Sequence, residues 1–337
     1  MISPTISLNG YATVYLDQNV LDSVIKGKED GMLSLIHSQG LVAVYSKETL
    51  IEIHRSNRPN DFLTILQEIP SLYLEVELDE SFKQIDKCKF INTNPFDVYD
   101  DLVQNLDDTD DAGESLSIFL QKLYGGAKEQ SFEDIFDKFG SEITKAFEYM
   151  KEHAKESGIE LPKEIENLSD DMIKEIFSPM SDSFNQVAEK LGTMEGSAVS
   201  QFEKFTGVSP RNLKGGGIKP PNIIKKILDK IDEHAEKTGK TVPHDSIFKL
   251  TDESGNKLPL VQQANALTYG LNFIGYYRDR IQERRKLIAS MSDTTHIGNA
   301  TFCDFLMTRD EGMFKKAEAV YDFLRPYTGI IYFPLKK

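Results

Sequence analysis

Residues 292–310 read SDTTHIGNATFCDFLMTRD, and the reading of this stretch decides the fold. Ser292 is suited to cap a helix that opens at Asp293. Along such a helix Asp293, His296 or Ile297, and Ala300 share a face, with Asp304 near its far end. Phe305-Leu306-Met307-Thr308 follows as a short apolar run of buried-strand character, closed by Thr308-Arg309-Asp310. The stretch therefore predicts helix, tight connection and strand, with carboxylates at both ends. Ligands of parallel α/β sheets bind beyond the carboxyl ends of the strands, which is where Asp310 would stand.

The rest of the chain supplies strands to pair with this one. Thr13-Val14-Tyr15-Leu16 is a β-type run that ends in Asp17-Gln18-Asn19, and the apolar spacing of Val20, Leu21, Val24 and Ile25 starts a helix behind it. A second run, Leu41–Tyr45, stops at Ser46, which can cap a helix over Lys47–Arg55 carrying Glu52. Another helix over Asp61–Glu68 precedes an alternating strand over Leu72–Leu78. Later, a long helix is predicted over Gln262–Ala289, with Arg278, Arg280, Arg284, Arg285 and Lys286 in its last turns. An amphipathic helix over Glu311–Leu324 and a closing strand over Ile330–Phe333 end the chain. The class is α/β: a mostly parallel central sheet flanked by helices.

Between these parts the character changes. Asp97–Glu114 holds eight acids and no Lys or Arg, the pattern of a solvated acidic face. Residues 115–200 read mostly as helix, and Gly215–Gly217 with Pro220-Pro221 marks a linker. Gly215–Gly217 lacks the Lys-Ser/Thr of a phosphate loop. The organisation expected is a discontinuous core, 1–90 plus 262–337, interrupted by a mainly helical insertion over 91–261.

Composition narrows the function classes. With 39 Lys+Arg against 54 Asp+Glu, the net charge of −15 weighs against nonspecific duplex binding. The chain has no run of eighteen apolar residues and no signal-peptide pattern, so no membrane partner is expected. Two cysteines cannot build a disulfide framework, which points to a reducing cytoplasm.

If the strands are parallel neighbours, Asp17, Glu52, Asp293 and Asp310 converge on one edge. Clustered carboxylates raise one another's pKa unless a cation compensates. A hard divalent ion such as Mg²⁺ or Mn²⁺ takes oxygen ligands and leaves room for phosphate. The chemistry implied is metal-assisted phosphodiester hydrolysis. His296, one turn from Asp293, could meet phosphate or polarise water, and Asp304 could serve as a further ligand or orient one. Asp22 and Glu48 compete for the places of Asp17 and Glu52.

These residues match a family. LDQN (16–19), SKETLIE (46–52), DTTHIGNA (293–300) and TRD (308–310) resemble the PIN-like nucleases, four motifs in order on fitting strands and helices. The resemblance implies a Mg²⁺- or Mn²⁺-dependent ribonuclease with Asp17, Glu52, Asp293 and Asp310 at the metal. It places Asn19 and Thr308 at polar positions of the motif, where substrate contact is expected. Nothing in the family pattern explains the insertion. RNA is the expected substrate ahead of DNA, with Arg280, Arg284 and Arg285 as phosphate contacts. A regulatory protein or a second copy of the chain is the further partner considered, as for a toxin or defence effector held quiet. The rival reading is a non-catalytic module of the same fold that binds nucleic acid or protein.

Overall fold

Two short runs buried along nearly their whole length need neighbours on both sides, and parallel pairing gives them that. A computed structural model describes residues 10–28, 31–79, 83–106, 114–123, 127, 129–156, 158, 198–214, 218–237, 239–279 and 283–334. In it β1 (Thr13–Leu16) and β5 (Phe305–Thr308) lie side by side and parallel, with Leu16 opposite Met307. β2 (Val42–Ser46) and β3 (Ser71–Leu78) extend the sheet from the other side of β1, and β4 (Gln84–Ile91) closes that edge. β6 (Gly329–Tyr332) forms the opposite edge, so the order is β4-β3-β2-β1-β5-β6. Among the described strands only the β3–β4 pair is antiparallel. The mostly parallel sheet flanked by helices is thus present.

Alternation along the strands makes two cores. Val14 and Leu16 of β1, Ala43 and Tyr45 of β2 and Met307 of β5 face one layer, with Leu21, Ile36, Leu50 and Leu63 from four helices between residues 18 and 68. Tyr15, Val44 and Leu306 face the other, against the helices Ile223–Lys237, Leu260–Ile274 and Glu311–Leu324. From β1 the chain builds towards β2 on one side, while β5 and β6 fill the other. The sheet's order reverses between β1 and β5, and a crevice opens at such a point.

Three features differ from the sequence reading. The helix expected over 262–289 is two helices, Leu260–Ile274 and Arg284–Asn299. Gly275 ends the first in the left-handed conformation (φ 86°), which a residue without Cβ adopts at no steric cost. Apolar spacing resumes at buried Leu287, so periodicity alone runs straight across the break. Asp293 consequently sits inside a helix rather than at its start, and Ser292 caps nothing; its hydroxyl donates to Glu48 Oε1 at 2.5 Å. β4 and the short helix Met32–Ser38 were not expected. β4 carries exposed Lys87 and Lys89, charges that protect a sheet edge while hiding the strand pattern.

The chain divides into two units: Met1–Val103, Phe202–Asp279 and Ala289–Lys337 form one, and Gln104–Gln201 with Arg280–Ile288 the other. The stretch expected as a single insertion is therefore shared. Its later part joins the sheet's unit because Ile223, Ile227 and Ile231 bury against the layer that holds Ala317 and Val320. In the second unit the helices Glu114–Leu123 and Phe132–Glu156 pack on one another. Of the acidic run, 97–106 lies in the helix Pro95–Leu106, and 107–113 lies outside the described residues, as do Gly215–Gly217 and Arg280. Among the described residues no helix is long and apolar enough to cross a membrane.

Candidate metal centre at the carboxyl edge

The strand-to-helix turns after β1 and β5 are built alike. Asp17 leaves β1 on the same face as Tyr15 and caps the helix Gln18–Ile25, accepting from Asn19 N at 3.3 Å and Asn19 Nδ2 at 3.1 Å. Asp310 leaves β5 and caps Glu311–Leu324, its Oδ1 accepting from Met313 N at 2.6 Å. Thr308 ties the two turns. Its hydroxyl donates to Asp17 Oδ2 at 2.8 Å and accepts from Asp310 N at 3.1 Å.

Glu52 reaches this edge from the helix Lys47–Arg55, whose N-cap Ser46 ends β2. His296 reaches it from Arg284–Asn299, and close packing lets it. A Cβ on Gly298 would stand 2.5 Å from Asn265 Oδ1 and 3.1 Å from Val261, so a larger residue there would force the Asn265 side chain to shift. His296 is wholly buried, with Nε2 2.8 Å from Glu52 Oε2 and Nδ1 2.8 Å from the Tyr15 hydroxyl, which in turn lies 2.7 Å from Ser46 Oγ. Asp17, Glu52 and His296 each offer a ligand atom, and those atoms all lie within 4.8 Å of one another. Donors on one ion, at about 2.0–2.5 Å each, stand no more than about 4–5 Å apart.

The electrostatics show strain of one sign. Burial pushes the Asp17 carboxyl above its ordinary 3.8; His296 opposes this, and Glu52 adds to it. Burial also raises Asp293 well above the ordinary value; Lys316 pulls it back, while Asp17, Asp279 and Asp310 push it further. Burial favours neutral His296, but Tyr15, Glu52 and Asp17 outweigh it and hold the imidazole well above 6.5. With both ring nitrogens protonated, His296 donates to Tyr15 and Glu52 alike. Asp293 is partly buried and, among the described residues, accepts no hydrogen bond.

The other expected residues fall differently. Asp304 stands before β5, at the opposite end of the strand from Asp310, and accepts from Thr13 N at 2.7 Å and Thr13 Oγ1 at 2.8 Å. Four strand residues span about 13 Å, so it takes no part in the carboxyl-edge group. Thr308 is fully buried, which removes it from substrate contact and makes it the clamp on Asp17. Asn19 is exposed but its amide is spent on Asp17. Arg284 and Arg285 are exposed at the start of the helix that carries Asp293, not at the end of one running into it. Asp22 pairs with Lys26 at 2.5 Å and Glu48 takes the Ser292 hydroxyl, leaving Glu52 as the acid beside Asp17.

Sequence reasoning missed Tyr15 and Lys316. Tyr15 sits two residues before Asp17 on a strand, so period-2 alternation alone would have put it on the same face. Lys316 lies on the buried stripe of an amphipathic helix, between Met313 and Ala317, an odd place for a charge and the only signal it gave.

The donors suit a divalent cation. Two carboxylates, and an imidazole once it gives up a proton, could hold one. Comparison with family models, with curated proteins and with solved structures gives no match to this chain.

Proposed function

We propose that this protein is a metal-dependent nuclease of the PIN-like type, hydrolysing phosphodiester bonds in RNA ahead of DNA. The observation that carries this reading is the gathering of Asp17, Glu52 and His296 donors within 4.8 Å where the sheet's order reverses. Asp293 stands close enough to feel the charges of Asp17 and Asp310. Asp17, Glu52 and His296 would hold a Mg²⁺ or Mn²⁺ ion, which would supply Lewis-acid charge for phosphodiester hydrolysis. The chain's own residues do the rest. Asn19 and Thr308 fix both oxygens of Asp17, and a ligand held so loses little freedom on binding. Tyr15 sets the ring of His296, which in turn orients Glu52. Asp293, holding its proton more tightly than an ordinary carboxylate, is a stronger base than one and suits the task of accepting a proton from water.

One observation favours a second reading, a binding module without catalysis. Asp17 and Glu52 already have partners within the fold: Asn19 and Thr308 for the first, His296 for the second. Incubating pure protein with labelled RNA and DNA in Mn²⁺, Mg²⁺ or EDTA separates the two. Cleavage that needs the cation supports the nuclease; retention of RNA without cleavage in any condition supports the binding module.

A further inference from the structure

Three strand ends line up at the carboxyl edge on one face of the sheet. Tyr15 of β1, Leu306 of β5 and Ile330 of β6 pack in the same layer. Asp17, Thr308 and Tyr332, each two residues further on, share that face by alternation. The register agrees: Thr308 stands opposite Tyr332, and its hydroxyl donates to Asp17 Oδ2 at 2.8 Å. Neighbouring strands lie about 4.8 Å apart, so Tyr332 is two spacings, about 10 Å, from Asp17.

Tyr332 is half-buried and does not stand alone. Its ring stacks on Phe314, with centroids 4.4 Å apart and planes at 5°. Phe314 rides near the start of Glu311–Leu324, the helix that Asp310 caps. The Lys315 ammonium lies over the Phe314 ring, 4.7 Å from its centroid, and is tied to Glu318 at 2.8 Å. Phe314 is thus engaged by a ring and a cation, and Tyr332 is the open end of the stack. Among the described residues no second ring meets Tyr332, and its hydroxyl makes no hydrogen bond. Burial lifts its phenol above the ordinary value, Glu311 and Asp310 add to this and Lys315 opposes it, which sets the ring beside the Asp310 turn.

A stacked pair with an open face is a platform for a further flat ring, and an unpaired nucleobase offers one. Bases inside a duplex already stack on one another and have no face to give. A base is also uncharged, so the carboxylates of Asp310 and Glu311, which would repel a phosphate, leave this contact undisturbed. We propose that Tyr332, backed by Phe314, receives one unpaired base of the strand whose phosphodiester lies at Asp17. Single-stranded nucleic acid is then the substrate class. This rests on the reading of Asp17, Glu52 and His296 as the cation site of a nuclease.

Fluorescence anisotropy of labelled oligoadenylate, single-stranded or annealed to oligouridylate, tests this on the full chain in EDTA, where no cation-dependent cleavage intervenes. Wild-type protein should prefer the single strand. Tyr332→Ala should weaken that binding by about tenfold, within the range for one stacked base, and change duplex binding by less than about twofold. Tyr332→Trp keeps a π face and should bind within about threefold of wild type. The chain has no tryptophan, so the emission of that variant should fall as the base stacks. Should Tyr332→Ala fail to fold, Tyr332→Leu fills the space without a π face and should show the same loss. Either variant, folded and binding the single strand within about twofold of wild type, would overturn the proposal. So would a wild-type chain that prefers the duplex, or that retains neither strand in EDTA or in Mn²⁺. Wild-type protein that retains the single strand and never cleaves it brings down the nuclease reading instead, and Tyr332→Ala still decides the platform.

Discussion

The two ends of β1 and β5 carry the same residue type to different effect. At the amino end Oδ2 of Asp304 accepts from both the amide and the hydroxyl of Thr13, while its own amide donates to Thr13 Oγ1 at 3.0 Å. The carbonyl of Asp304 also accepts from Gly329 N at 2.7 Å, so one residue pins three strands. At the carboxyl end Asp17 is buried beside Glu52, and Asp17 and Asp310 stand near enough to Asp293 to raise the cost of its charge. An aspartate held by neutral donors stabilises a fold. Aspartates crowded together hold binding energy in reserve for a cation. The same pair of strands thus has a structural end and, on the proposed reading, a metal-binding end.

Several experiments break or sharpen that contrast. The largest effect belongs to the carboxyl end. Glu52→Gln or Asp310→Asn should cut Mn²⁺-dependent cleavage by ~10³-fold, about 4 kcal/mol of barrier, with the circular dichroism spectrum unchanged. Removing the ion is nearly as telling. Mn²⁺ at about a hundred times its dissociation constant should raise unfolding free energy by ~2.7 kcal/mol. A urea melt with and without EDTA measures it. The amino end responds in stability alone: Asp304→Ala should cost about 1.5–3 kcal/mol, the range for hydrogen bonds to a charged group.

The smallest effect has the opposite sign. Asp293→Asn relieves repulsion, so the metal-free protein should become more stable by roughly 1 kcal/mol while losing activity, as functional sites often behave. The pH dependence follows. Asp17 and Asp293 keep their protons above the ordinary 3.8, and His296 keeps its proton above 6.5. In each case the native state binds a proton that the unfolded state has released. The stability is full below the ordinary value and is lost as pH rises through the raised one. Urea midpoints should therefore fall from pH 5 to pH 8 without metal, and Asp293→Asn should flatten that fall.

How much of this was legible depended on whether a residue's role is local. β1, β5 and the helices Lys47–Arg55 and Glu311–Leu324 lie where apolar runs and caps put them, because an aspartate or serine after a strand also starts the next helix. Those same caps delivered Asp17 and Asp310 to one edge. Glu52 was found by its spacing from Ser46, which holds because both ride on one helix. Asp304 misled for the complementary reason: it is near Asp310 in sequence, and four residues of strand carry it to the far end. The break at Gly275 was hidden by apolar spacing that continues on either side. Lys316 and Tyr15 act through partners such as Asn272 and His296 that stand 44 and 281 residues away, which no local pattern records.

The contrast itself is tested most directly by one assay: cleavage of a labelled single-stranded RNA in Mn²⁺ by Asp17→Asn and Asp304→Asn, each compared with wild type at matched folded concentration. Loss of ~10³-fold or more for Asp17→Asn, with Asp304→Asn within about threefold of wild type, is the result that two ends with separate roles require. Equal activity in wild type and Asp17→Asn, or a loss in Asp304→Asn as deep as that in Asp17→Asn, would contradict it.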